Sequence, residues 1–218
     1  MESPHAVLVA NGPVRWTERL AALAAAAEPL LAADGGANQL GRVGLRPAAV
    51  IGDLDSIRSG IRAWVGENRL VHRPDQNRTD LDKALEYAFD ELGLESLVVL
   101  GAVGGRVDHA VANLGLLARR ALGDDLVFLA PDLRVVAVRG EAALEAVPGE
   151  TWSFVAFDPA VRVDLDGVRW PVVSAPCDLP GRPSVSNRAA ADAIIIRATG
   201  GAVVAIRWFD DAAISFEF

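Results

Sequence analysis

The chain has 218 residues, 51% of them hydrophobic, with a formal net charge of -8 and a pI near 4.9. That length supports one large or two small domains, and that apolar content excludes a disordered chain. The acidic balance argues against a general nucleic-acid grip, which needs a basic face, yet leaves room for one phosphorylated ligand held by a few cations.

The N-terminal stretch "MESPHAVLVANGP" lacks a basic region and carries a short apolar run, so it does not read as a signal peptide. The alanine-rich stretch Leu20–Ala33 is interrupted by Glu28 and Pro29 and does not read as a membrane span. Cys177 is the single cysteine, which rules out an internal disulfide. The expectation is a soluble cytoplasmic protein without membrane or nucleic-acid partners.

In chain order, apolar runs with little polar alternation predict strands at Ala6–Ala10, Leu30–Ala33, Ala49–Ile51, Leu97–Leu100 and Leu126–Leu129. Helical periodicity predicts helices at Thr17–Ala27, Asp80–Leu92 and Asp108–Leu122, with Pro29 and Gly93 closing the first two. Alternation of this kind implies an α/β domain, a mostly parallel sheet with flanking helices. Near Val138 the helix period disappears. Short β-rich runs follow at Trp152–Phe157, Val161–Leu165, Ala193–Ala198, Ala202–Trp208 and Ala213–Phe218, with turn signals at Asp166-Gly167 and Gly200-Gly201. They predict a C-terminal antiparallel β-sandwich, with Pro171–Pro183 as an ordered loop. The division is placed at residues 1–140 and 141–218.

The triplet Asp-Leu-Asp occurs three times, and each copy sits in a different context. In "GDLDS" it follows a predicted strand. If the chain stays extended, Asp53 and Asp55 point to one side at the carboxyl end of a parallel strand, where open α/β sheets bind ligands. Two such carboxylates suit Mg²⁺ with phosphate; the alternative is a turn in which they bond to backbone amides. In "TDLDKAL" Thr79 reads as an N-cap and Asp82 as its capping-box partner. Asp80 and Lys83 share a helix face and could hold metal and phosphate together, or form a surface ion pair. In "VDLDG" the Asp166-Gly167 pair is a hairpin signal and Asp164 an outward strand residue, so no metal is assigned there.

Three further stretches carry candidate chemistry. "ADGGAN" follows a strand and opens a helix, so Gly35 and Gly36 allow close approach and the helix-start amides favour anions. "GAVGGRVDHAVAN" could bring Arg106 and Asp108 to the same sheet edge, although Asp108 also reads as a plain N-cap. Neither a P-loop nor a dinucleotide fingerprint is present, the lone His109 reads as a packed or surface residue, and Cys177 has no evident activating partner. Trp170 could stack on a flat ring or serve as sandwich core.

Taken in order, "ANG", "DGGAN", "GDLDS", "PDQNRTDLDKAL", "GAVGGRVDH…N", "GVRWP" and "SVSN" resemble the thiamine pyrophosphokinase family over nearly the whole chain. The resemblance implies an α/β catalytic domain followed by a β-sandwich, a homodimer, and Mg²⁺-dependent transfer of pyrophosphate from ATP to thiamine. It implies catalytic roles for Asp53, Asp55, Asp80 and Asp108, with the first three holding metal. Asp34, Gly35, Gly36, Ser56, Gln76, Lys83 and Arg106 would belong to the ATP site. Trp170, Ser186 and Asn187 would lie against thiamine across the dimer interface. Arg188 follows "SVSN" where the family often has an acidic residue. The alternatives are a pyrophosphokinase for another heteroaromatic alcohol, such as a hydroxymethylpterin, and a nucleotide- or metabolite-binding protein without turnover.

Overall fold

The computed structural model describes residues 5–121 and 125–209. Two compact units emerge, one of Met1–Asn113 with Asp124–Pro131 and one of Leu114–Gly123 with Asp132–Phe218.

The first unit is built on β1 (Val7–Val9), β2 (Leu30–Ala33), β3 (Ala49–Gly52), β4 (Leu70–His72), β5 (Ser96–Leu100) and β6 (Asp125–Ala130). Every pairing among them is parallel, in the order β4-β3-β2-β1-β5-β6. β1, β2 and β3 are buried at every position, which is why their sequences are apolar without alternation. Helices α1 (Glu18–Ala25), α2 (Gly36–Arg42), α3 (Ser59–Val65) and α4 (Asp80–Glu86) connect them. Helix α2 packs on β1 and β2, and α4 on β2 and β3. Thr17 caps α1, its hydroxyl accepting from Leu20 N at 3.3 Å. Helix α4 continues as a π-helical turn, Tyr87–Glu91, to nearly the expected end. Helix α5 spans Val107–Arg120. Strand β4 and helix α3 are short and were not expected from periodicity.

The second unit contains β7 (Leu133–Glu145), β8 (Thr151–Ala156), β9 (Arg162–Asp166), β10 (Val172–Pro176), β11 (Ser184–Arg188) and β12 (Ala193–Trp208), and its pairings are antiparallel. Its centre is β12, which pairs with β7 along its length. On its other side β12 pairs first with β9 and then with β8. The two runs expected at Ala193–Ala198 and Ala202–Trp208 are therefore one strand. Gly200-Gly201 marks a register shift in it, not a reversal. Trp152, Phe154, Val163, Leu165, Ile194 and Ile196 fill the core.

Three other expectations change. Asp166-Gly167 does not form a two-residue hairpin: β9 ends at Asp166 and its partner β10 begins at Val172. The segment Pro171–Pro183 is not all loop, since it contains β10. The chain crosses between the compact units more than once, the last time at Pro131/Asp132, whereas 140/141 lies inside β7. The strand expected at Ala213–Phe218 lies outside the described residues. Over the whole chain the strand pairing is mixed, parallel in the first unit and antiparallel in the second, so the protein is a mixed α/β fold with flanking helices rather than a mostly parallel one. Among the described residues no helix is long and apolar enough to cross a membrane.

Candidate active site

The first unit gathers its polar side chains where β2, β3 and α4 meet. Asp34 follows β2 directly, Asp53 follows β3, and Asp80 opens α4. One oxygen from each of these three carboxylates lies within 4.8 Å of the others. Gly52 makes the approach possible. Its φ is 153°, and a Cβ there would stand 2.8 Å from Asp34 Cβ and 2.9 Å from Asp80 Oδ1.

Lys83, with only 3% of its side chain exposed, lies beside two of the three carboxylates. Its ammonium donates to Asp80 Oδ1 at 3.0 Å and lies 4.0 Å from Asp53 Oδ2. Lys83 is thus buried and Asp80 partly so, which distinguishes the pair from an exposed surface ion pair. Thr79 caps the helix, its hydroxyl accepting from Asp82 N at 3.2 Å, while the Asp82 carboxylate accepts from Arg78 Nε at 3.2 Å. Gln76 donates from Nε2 to Asp53 Oδ2 at 3.0 Å, and Asp53 N donates to Asp80 Oδ1 at 3.4 Å.

Asp34 is completely buried. Its Oδ2 accepts from Ser56 N at 3.0 Å, but its buried Oδ1 has no hydrogen-bond partner. Burial, opposed by the Ser56 amide and reinforced by Asp80 and Asp55, pushes its carboxyl up to about 6. Three carboxylates facing one ammonium leave negative charge uncompensated once Asp34 ionises. The donor set is all oxygen, and one buried oxygen is free to bond. That combination suits a hard divalent cation such as Mg²⁺.

Asp55 does not join this group. Leu54 adopts a left-handed φ of 66°, so the chain is not extended between the two aspartates and their side chains do not share a face. Asp55 is exposed and accepts from Ser56 Oγ at 2.8 Å, while its N donates to Asp53 Oδ1 at 3.4 Å. Asp34, expected only in the ATP site, takes its place in the cluster. The third triplet is structural: Asp164 accepts from Ser174 N at 2.8 Å, and Asp166 pairs with Arg197 at 3.2 Å.

Beside the carboxylates opens a cleft of about 440 Å³. Its walls are Asn11–Pro13 after β1, Gly101, Ala102 and Gly104–Arg106 after β5, and Ser56, Asp80, His109 and Asn113. Most of these lie in loops at the carboxyl ends of parallel strands. Gly36 lets α2 start against β1, since a Cβ there would sit 1.9 Å from Val9 O. Gly35 contacts the Asn11 side chain in the same way. Arg106 donates from Nε to Asp108 Oδ1 at 3.1 Å, and both side chains are exposed. The Arg106 bond holds the Asp108 carboxyl at about 2, which makes it a poor proton acceptor near neutrality. Asn11, Gly12 and Asn113 stand inside the motifs "ANG" and "GAVGGRVDHAVAN", but the sequence alone assigns them no role. Asn113 donates to Ala102 O at 2.7 Å and so braces the glycine-rich loop. Their signal was position: each follows a strand end or faces the loop that does.

In the second unit Asn187 is buried and clamps Trp170 from both backbone sides. It accepts from Trp170 N at 3.2 Å and donates to Trp170 O at 2.8 Å, and it also holds Ser184 Oγ and Arg188 N. Trp170 is 53% exposed, so it is not core, and the Arg169 guanidinium lies 5.0 Å from its ring centre. Ser186 adopts a φ of 58° and donates its N to Ser153 Oγ at 3.1 Å.

Residues 20–126 match the family model described as thiamin pyrophosphokinase, catalytic domain. Thiamine pyrophosphokinase 1 of Oryza sativa subsp. japonica is 28% identical over 163 residues, 67% of this chain and 60% of that protein. Thiamine pyrophosphokinase of Bacillus subtilis is 25% identical over 187 residues, 83% of this chain and 87% of that protein. The chain thus spans 60% of the rice protein and 49% of thiamine pyrophosphokinase 2 of Arabidopsis thaliana. The crystal structure of yeast thiamin pyrophosphokinase shares the fold with a TM-score of 0.79 at 20% identity, covering 100% of this chain and 90% of that one. The Bacillus subtilis structure does so with 0.76 at 23% identity, covering 94% and 99%. Over residues 20–126 the chain is thus similar to the catalytic domain of thiamin pyrophosphokinases, and along its length it shares the fold of the solved ones.

Proposed function

We propose that the protein is a thiamine diphosphokinase, transferring pyrophosphate from ATP to the hydroxyl of thiamine and releasing AMP. The observation that carries this reading is the Asp34–Asp53–Asp80 cluster with the buried Lys83, which lies inside the region that matches the catalytic-domain model and beside a cleft of glycine-rich loops.

In the reaction the thiamine oxygen forms a bond to the β-phosphorus. The bond from that phosphorus to the oxygen bridging to the α-phosphorus breaks, and AMP departs with the bridging oxygen. Such transfers depend on alignment and charge neutralisation more than on covalent help. Asp34, Asp53 and Asp80 would hold Mg²⁺, with Asp55 close by on the same turn. Bound there, the ion supplies positive charge to the phosphates. Lys83 and Arg106 add fixed positive charge, and the loops at Asn11–Pro13, Gly35–Gly36 and Gly101–Arg106 line the ATP site together with Ser56 and Gln76. A phosphate that draws Arg106 away from Asp108 would free that carboxylate. Asp80 or Asp108 would take the hydroxyl proton, and each is held by a cation here, Asp80 by Lys83 and Asp108 by Arg106.

The thiamine ring would stack on Trp170, with Ser186 and Asn187 shaping that surface, in a sandwich-like second domain of a cytoplasmic homodimer. Incubating the protein with ATP, Mg²⁺ and either thiamine or a hydroxymethylpterin tests the reading. AMP formed with thiamine supports it. AMP with the pterin alone, or with neither, overturns it in favour of another acceptor or of a binding protein.

A further inference from the structure

We propose that Asn38 is a positioning residue for the metal-binding carboxylates, fixing the turn on which Asp53 and Asp55 are mounted. The inference rests on the reading of Asp34, Asp53 and Asp80 as a divalent-cation site.

The turn after β3 is conformationally costly. Gly52 has a φ of 153° and Leu54, a branched residue, a φ of 66°. Something outside the turn must hold it. Three side-chain bonds do so, and all end on the short span from Ser56 to Arg58. Asn38 Nδ2 donates to Ser56 O at 2.9 Å, Asn38 Oδ1 accepts from Arg58 N at 3.0 Å, and Asp34 Oδ2 accepts from Ser56 N at 3.0 Å. The two Asn38 bonds also fix which end of its amide is which, because a carbonyl must receive and an N–H must give.

The three bonds differ in kind. Asp34 belongs to the carboxylate cluster, so a bound cation and the Ser56 amide both draw on its electron density. Asn38 is neutral and is not in the cluster. It sits one turn beyond Asp34 on α2, with its own N bonded to Gly35 O at 3.0 Å. It can therefore keep the turn in place whatever the charge state of the aspartates. Few side chains could substitute: an aspartate cannot donate to Ser56 O, and a serine is too short to span both partners. Asn38 thus supports the metal ligands from behind without touching the ion. Residues in that relation to a metal site typically change affinity by about 10- to 100-fold when removed.

The test uses the intact protein and Mn²⁺ as probe, with free Mn²⁺ followed by electron paramagnetic resonance. Asn38→Ala should weaken Mn²⁺ binding by about 10-fold or more. The Mg²⁺ concentration giving half-maximal AMP formation should rise in proportion, with the rate at saturating Mg²⁺ within about twofold of wild type. Amide exchange should quicken in the 53–58 segment and stay unchanged in α4 and β5. Alanine favours the helix, so folding should survive; Asn38→Ser, which keeps a polar side chain, should act in the same direction. Equal Mn²⁺ affinity in wild type and both variants overturns the proposal, as does a loss of thermal stability with unchanged affinity. Wild-type protein that binds no Mn²⁺ overturns both this inference and the metal reading beneath it. Wild-type protein that binds Mn²⁺ but forms no AMP overturns the proposed reaction alone, and the affinity comparison still decides the role of Asn38.

Discussion

Replacing Asp34 by asparagine should make the metal-free protein more stable at neutral pH, although it removes a site residue. The carboxyl is fully buried, one of its oxygens has no partner, and burial raises it from 3.8 to about 6. Below pH 4 the group is protonated in both folded and unfolded chains and contributes no difference. Between pH 4 and 6 the unfolded chain gives up the proton while the folded chain keeps it. Above pH 6 the folded protein carries the full cost of a buried charge. The shift from 3.8 to about 6 corresponds to roughly 3 kcal/mol, and water in the adjoining cleft lowers this to about 2–3 kcal/mol. An amide at this position carries no charge, so the Asp34→Asn variant should keep the bond from Ser56 N and gain a donor facing Asp53 and Asp80. Urea unfolding in EDTA, at steps from pH 4 to pH 8, measures the difference. The two proteins should agree within about 0.5 kcal/mol at pH 4 and separate by about 2–3 kcal/mol above pH 6.5. Mg²⁺ should then stabilise the wild type and leave the variant nearly unmoved. Equal stability at pH 7.5, or a less stable variant, refutes the account of Asp34 as a buried charge awaiting a cation.

Asp53→Asn and Asp80→Asn should each lower AMP formation by about 10²-fold or more with circular dichroism unchanged, and near-normal turnover in both would remove the metal assignment. Gly36→Ala places a Cβ 1.9 Å from the backbone oxygen of Val9, which cannot swing aside, so it should cost about 1–3 kcal/mol or more and lower Tm by roughly 3–10 °C in a thermal melt. Trp170→Ala should raise the thiamine KM by about tenfold and leave the ATP KM unchanged in steady-state assays, because the ring is half exposed and outside the first unit.

The parallel half of the fold was readable because its strands are buried on both faces. Val7–Val9 and Leu30–Ala33 have no polar position to blur the pattern. The antiparallel half was harder. Its long central strand passes through Gly200-Gly201, which in sequence reads as a turn, and only pairing with β7 on both sides of the shift keeps it one strand. The same division runs through the site. Asp80 and Lys83 could be paired from helical spacing alone, and the structure brings them to 3.0 Å. Thr79 as N-cap was equally local. Asp53 with Asp55 failed on a single dihedral, since a leucine in the left-handed region leaves no mark in sequence. The role of Asp34 depends on β2 lying next to β3 and on a glycine at position 52, which are tertiary facts. The link from Asn38 to Ser56 and Arg58 is of that kind too.

The irregular strands β10 and β11 have a consequence for how the protein behaves when crowded. Among the described residues each pairs on one side only, β10 with β9 and β11 with β8. Each contains a register shift and a serine with positive φ, Ser174 and Ser186, and each shows an outward valine, Val173 or Val185. A straight apolar edge in either place would template the growth of a neighbouring sheet. A bulged edge cannot offer an uninterrupted row of amides and carbonyls. The kinks that shape the surface near Trp170 therefore also act as a safeguard against edge-to-edge aggregation, and straightening either one would trade solubility for regularity.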